Sequence, residues 1–175
     1  VLFLLFVVAD VFFAGEQVVA VLAGLLFALH SLRLLNWHAI GLWRKPLLWV
    51  LYLGYGFIVL GFGLKMLAGW LPVSPWLSLH AFAAGGIGIV TAGMMSRVSL
   101  GHTGRNVFEP PAILFAIFAL LLVAAGIRVI APLVLPQLYS GVIFLSQLFW
   151  ILGFGLFAAV YVPVLIKPRL DGQYG

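Results

Sequence analysis

The residues with the most chemistry in this chain are four histidines, His30, His38, His80 and His102. A neutral imidazole ligates both haem iron and copper. An α-helix rises about 1.5 Å per residue, so the 22 residues from His80 to His102 amount to roughly 33 Å, the thickness of a bilayer core. These two cannot share a metal within one protomer. The sequence therefore permits an outer site around His80 and an inner site around His30, His38 and His102. The ordinary role of a histidine in an apolar helix is an interhelical hydrogen bond. His80 has a further argument: at 100° per residue, Ala84, Ile87 and Thr91 share its face. Small residues beneath a histidine leave room for a flat macrocycle, although they also serve plain helix packing.

Three further groups bear on a site. Met94 and Met95 offer thioethers, which suit Cu(I) and also act as core filler. The segment Ser96 to Arg105 gathers Arg97, His102 and Arg105 with two serines, a threonine and two glycines. It reads either as a charged connector or as an anion, propionate or metal site. Asp10, Lys65 and Arg128, with Glu16, lie at the outer ends of apolar runs. They snorkel or pair with one another, or Lys65 and Arg128 receive anionic groups such as cofactor propionates. Other chemistry is excluded. There is no cysteine, hence no disulfide, thiolate ligand or covalent c-type haem. No glycine-rich phosphate loop, HExxH motif or pair of neighbouring carboxylates occurs, and the one basic-aromatic stretch, Leu32 to Lys45, reads as a membrane interface rather than a nucleic-acid surface.

The elements that hold these residues must be membrane helices. Of 175 residues, 65% are hydrophobic and 7% charged, against about 25% charged in a soluble domain. No period-two alternation supports a β-barrel. The expected fold is an all-α, polytopic transmembrane bundle in one domain, residues 1–175. Its spans are about 1–14, 18–36, 46–70, 76–99, 111–132 and 140–166, five full ones after a short first helix. Residues 1–14 lack the charged start and cleavage site of a signal peptide. Because Val1 lies inside an apolar run, the expectation is a fragment with a truncated first helix. Ala81, Gly85, Gly88 and Ala92 should let a neighbouring backbone approach, and Pro163 should kink the last span.

Basic residues sort the loops. Arg33, Arg44 and Lys45 follow the second span, Arg97 and Arg105 the fourth, and Lys167 and Arg169 the sixth. Even numbers of crossings separate them, so the positive-inside rule puts all three clusters in the cytoplasm. Trp37, Trp43 and Trp49 mark that interface, and Trp70 and Trp76 the opposite one.

The run Leu79-His80-Ala81-Phe82-Ala83-Ala84-Gly85-Gly86-Ile87-Gly88, followed by Gly93-Met94-Met95-Ser96-Arg97-Val98-Ser99-Leu100-Gly101-His102-Thr103-Gly104-Arg105, resembles the NnrS family over roughly residues 18–170. Arg44 to Tyr55 resembles its preceding helix. The resemblance implies a bacterial inner-membrane protein with haem b and copper, linked to nitric oxide metabolism and nitrosative stress. It also implies a longer protein, of which this is the C-terminal half, the other half bearing further histidines. His80 and His102 match the family motif, and His30 does so more loosely. Expected partners are the lipid bilayer, the other half or another membrane subunit, and a second copy of the chain. Whether the protein is an enzyme is left open by the residues. A transporter or channel subunit, or a structural subunit, without redox cofactor is the competing reading.

Overall fold

The computed structural model describes residues 1–13, 15–170 and 172. Among them every regular element is helical. The elements are α1 (Leu2–Phe12), α2 (Gln17–Asn36), α3 (Pro46–Ala68), α4 (Pro75–His80), α5 (Ile89–His102), α6 (Ile113–Val134) and α7 (Tyr139–Ile166). A π-helical segment, Ala81–Gly88, joins α4 to α5, so that Pro75–His102 forms one continuous apolar rod. Five helices are long and apolar enough to cross a membrane, and α1 is a shorter apolar helix. The expected spans and the structural elements agree to within about three residues at each end, the scatter usual for helix boundaries.

The punctuation residues work as helix starts. Lys45 is extended, with φ −122° and ψ 107°, and Pro46 occupies the first turn of α3. A proline disfavours helical backbone in the residue before it and needs no intrahelical donor itself. Pro75 opens α4 in the same way, and the Ser78 hydroxyl donates to its carbonyl at 2.7 Å. Pro132 and Pro163 lie inside α6 and α7 rather than at their ends.

α3 is the hub of the bundle. It packs against α2, α4, α5 and the π segment, while α6 and α7 pair as a hairpin. The largest core cluster joins α3, α5, α6 and α7 around Val50, Ile89, Phe118 and Tyr161. A second joins α1, α2 and α3 around Phe6, Ala23 and Phe62. The third, smaller cluster holds Leu64, Leu77, Ala81 and Val129 beside His80. The small residues of the π segment do permit close approach, but of rings rather than backbone. A Cβ on Gly85 would lie 2.3 Å from the Phe57 ring, and one on Gly88 would lie 2.4 Å from Trp150 Cη2.

Candidate functional site

The π segment governs where His80 points. An i→i+5 turn rotates less per residue than an α-helix, and such turns occur frequently at functional sites. The face expected from 100° steps is therefore not the face observed. Ala84 stays with His80 and is joined by Ala83. Ile87 turns away, is 65% exposed, and lines a separate groove that contains Asp10 and Lys65.

His80 opens on a cavity of about 380 Å³ walled by Ala83, Ala84, Arg128, Ser146, Gln147 and Trp150. Arg128, from α6, donates through Nε to His80 Nδ1 at 3.4 Å. Ser146, from α7, donates to the Ala124 carbonyl at 2.9 Å and so ties α7 to α6 beside that arginine. Trp150 closes the floor by lying across Gly88. Gln147 and Trp150 are not among the residues that the sequence singles out. Their one signal was Gln147 itself, the sole side-chain amide in the 28 residues of α7.

The two intramembrane cations differ. Lys65 is paired with Asp10 at 2.5 Å, which leaves it no open charge for a propionate. Arg128 has no carboxylate partner among the described residues. An arginine held away from bulk water attracts anions strongly because the surroundings do not screen it. The contact also fixes the imidazole. With Nδ1 accepting, a neutral His80 holds its hydrogen on Nε2. Binding iron through Nε2 instead requires the hydrogen on Nδ1, and Arg128 then loses its acceptor and is available to an anionic group. One imidazole, small residues beneath it and a guanidinium that can pass to a propionate fit a haem edge.

The other candidate ligands are not gathered here. His30, on α2, is hydrogen-bonded to the Tyr55 hydroxyl and stacked on Phe62, with centroids 5.3 Å apart. His38 accepts from Trp43 Nε1 at 3.3 Å. Met94 and Met95 are 44% and 46% exposed on the outside of the bundle. His102 is exposed at the far end of the rod. No group of three or more His, Cys, Asp or Glu residues placed to hold a metal occurs among the described residues. A copper set drawn from His30, His80, His102, Met94 and Met95 is therefore not assembled within the described chain.

The Ser96–Arg105 segment is a helix terminator. Gly104 has φ +69°, Arg105 N–H donates to the Leu100 carbonyl at 2.9 Å, and Gly104 N–H to Gly101 at 3.3 Å. These are the paired bonds of a Schellman motif, which needs a left-handed residue that glycine supplies without strain. The Thr103 hydroxyl adds a bond to the Ser99 carbonyl at 2.6 Å. Arg105 Nη1 reaches the Thr103 and Val164 carbonyls, each at 3.5 Å, and Leu170 N–H donates to Thr103 at 3.3 Å. The segment thus ties the end of α5 to the end of α7, while Arg97 faces Arg44 and Lys45.

The sequence model of one family, described as NnrS protein, matches residues 1–169. No curated protein and no solved structure matches the chain.

Proposed function

The chain belongs to the NnrS family, and from that premise we propose that it is a haem-binding inner-membrane protein acting in nitric oxide metabolism, with its cofactor edge at His80. The observation that supports this reading is the single imidazole over Ala83 and Ala84, with an arginine that has no carboxylate partner among the described residues, in one cavity within a bundle of apolar helices. In it, His80 would ligate the iron and Arg128 would hold the anionic edge. When bound, haem supplies an iron that takes nitric oxide. Trp150, Ala83 and Ala84 supply the apolar part of that face. Copper belongs to the proposal only with ligands from outside the described chain, from a second copy or a separate subunit. The basic end is assigned to the cytoplasm by the positive-inside rule.

The test is optical. The full chain, purified in detergent and titrated with haem b, is expected to give a Soret band that His80→Ala abolishes and His102→Ala leaves intact. A titration with no saturable band, or one indifferent to His80, would overturn the assignment. A cofactor-free transport path is favoured by one observation, the Asp10–Lys65 pair beside an open groove of about 600 Å³. Solute flux into proteoliposomes that survives His80→Ala would decide for it.

A further inference from the structure

The basic end holds a further, differently built cavity. It is about 310 Å³ in volume and lies between the start of α3, the end of α5 and the loop that leads to α6. Arg44, Lys45 and Arg97 line it together with the apolar side chains of Leu48, Val107 and Phe108. Their convergence is dictated by the chain. A 3-10 turn, Ile40–Arg44, brings Arg44 and Lys45 to the first residue of α3, and α5 packs along α3 so that Arg97 reaches the same level. Lys45 Nζ also lies 5.7 Å from the centre of the Phe108 ring.

None of these three cations has a carboxylate within ion-pairing distance among the described residues, although Glu109 is exposed in the same loop. The positive end of the 23-residue α3 dipole adds to their field. The rest of the lining is largely apolar and reaches the surface, with Phe108 80% and Leu48 36% exposed. Trp43, at the same end, is 47% exposed, as expected at the headgroup level of a bilayer. A ligand that satisfies both the cations and the apolar lining has a phosphate joined to a hydrocarbon chain.

We propose that this cavity binds the headgroup phosphate of an anionic phospholipid, with the acyl chain against Leu48 and Phe108. Arg44 and Arg97 clamp the phosphate and Lys45 closes over it. Such a lipid links the α2–α3 connection to the α5–α6 loop and so fixes the basic end of the bundle. A free oxyanion shares the phosphate chemistry but has nothing to offer the apolar lining.

Native mass spectrometry of the full chain in detergent tests this, with phosphatidylglycerol, phosphatidylcholine and inorganic phosphate as probes. Phosphatidylglycerol is expected to bind saturably and in preference to phosphatidylcholine. Each arginine near the surface contributes enough for about a fivefold loss of affinity in Arg44→Gln, and roughly 25-fold in Arg44→Gln/Arg97→Gln. Lys167→Gln, at the same end but outside the cavity, should bind as the parent does. Equal binding of the two lipids overturns the proposal, as does an equal loss in the Lys167 variant. Displacement of phosphatidylglycerol by equimolar inorganic phosphate overturns it in favour of a free oxyanion. If the double variant does not fold, Arg44→Gln alone decides, because its side chain is exposed on a short turn.

Discussion

Arg128 and Lys65 began as equals, two cations at the same end of neighbouring helices, and their surroundings separate them. Lys65 is neutralised by Asp10, whereas Arg128 faces an imidazole and an open cavity. If Arg128 holds an anionic cofactor edge, Arg128→Gln should weaken haem binding about tenfold or more, the scale of one charge-assisted hydrogen bond, while the His80-dependent band persists. Asp10 and Lys65 call for a thermal-unfolding cycle. Removing either partner leaves a half-buried charge alone and should cost about 1–3 kcal/mol, and Asp10→Leu/Lys65→Met should recover most of it. Residue types and positions could be read from the chain, but partners could not. Which carboxylate meets which amine depends on α1 lying against α2 and α3, and helices in apolar surroundings leave no sequence trace of such neighbours.

At the level of the element, the helices were legible because bilayer thickness fixes their length and proline, glycine and charge mark their ends. What was not legible was departure from α geometry. A steady 100° step placed Ile87 beneath His80, and the wide turns of Ala81–Gly88 remove it to another groove. Nothing in the residues Ala-Phe-Ala-Ala-Gly-Gly-Ile-Gly demands a π turn by itself. The rings of Phe57 and Trp150, pressed into the space above Gly85 and Gly88, arrive from α3 and α7. Gly88→Ala should therefore cost about 1–3 kcal/mol through overpacking, read as a lower unfolding temperature in detergent. It should also disturb the His80 cavity, whose floor is Trp150. Gly104→Ala is expected to cost about 1–2 kcal/mol for its left-handed backbone, with the band at His80 unchanged. That pair of outcomes would separate a terminator from a ligand site in the histidine-containing segment, whose density of donors invited the second reading.

For the whole molecule, the alternation of basic and apolar segments gave the number of crossings, and the bundle confirms five long apolar helices with a shorter one before them. Orientation is testable because the chain has no cysteine. With the basic end in the cytoplasm, Ser74→Cys should react with an impermeant maleimide from outside, and Ala39→Cys only after the membrane is opened. The reverse pattern would invert the assignment. The bundle also bears on how the chain tolerates change in length. A residue lost from a surface connection is absorbed locally. Between His80 and Ile89 the helix runs on through the membrane with no loop to take up the difference, so a single deletion there would turn His80 by roughly a quarter of a turn relative to α5. Such a deletion would take the imidazole from its cavity toward lipid while leaving the Arg128, Ser146, Gln147 and Trp150 side of that cavity in place, so this stretch of chain sets a direction by its length as much as by its composition.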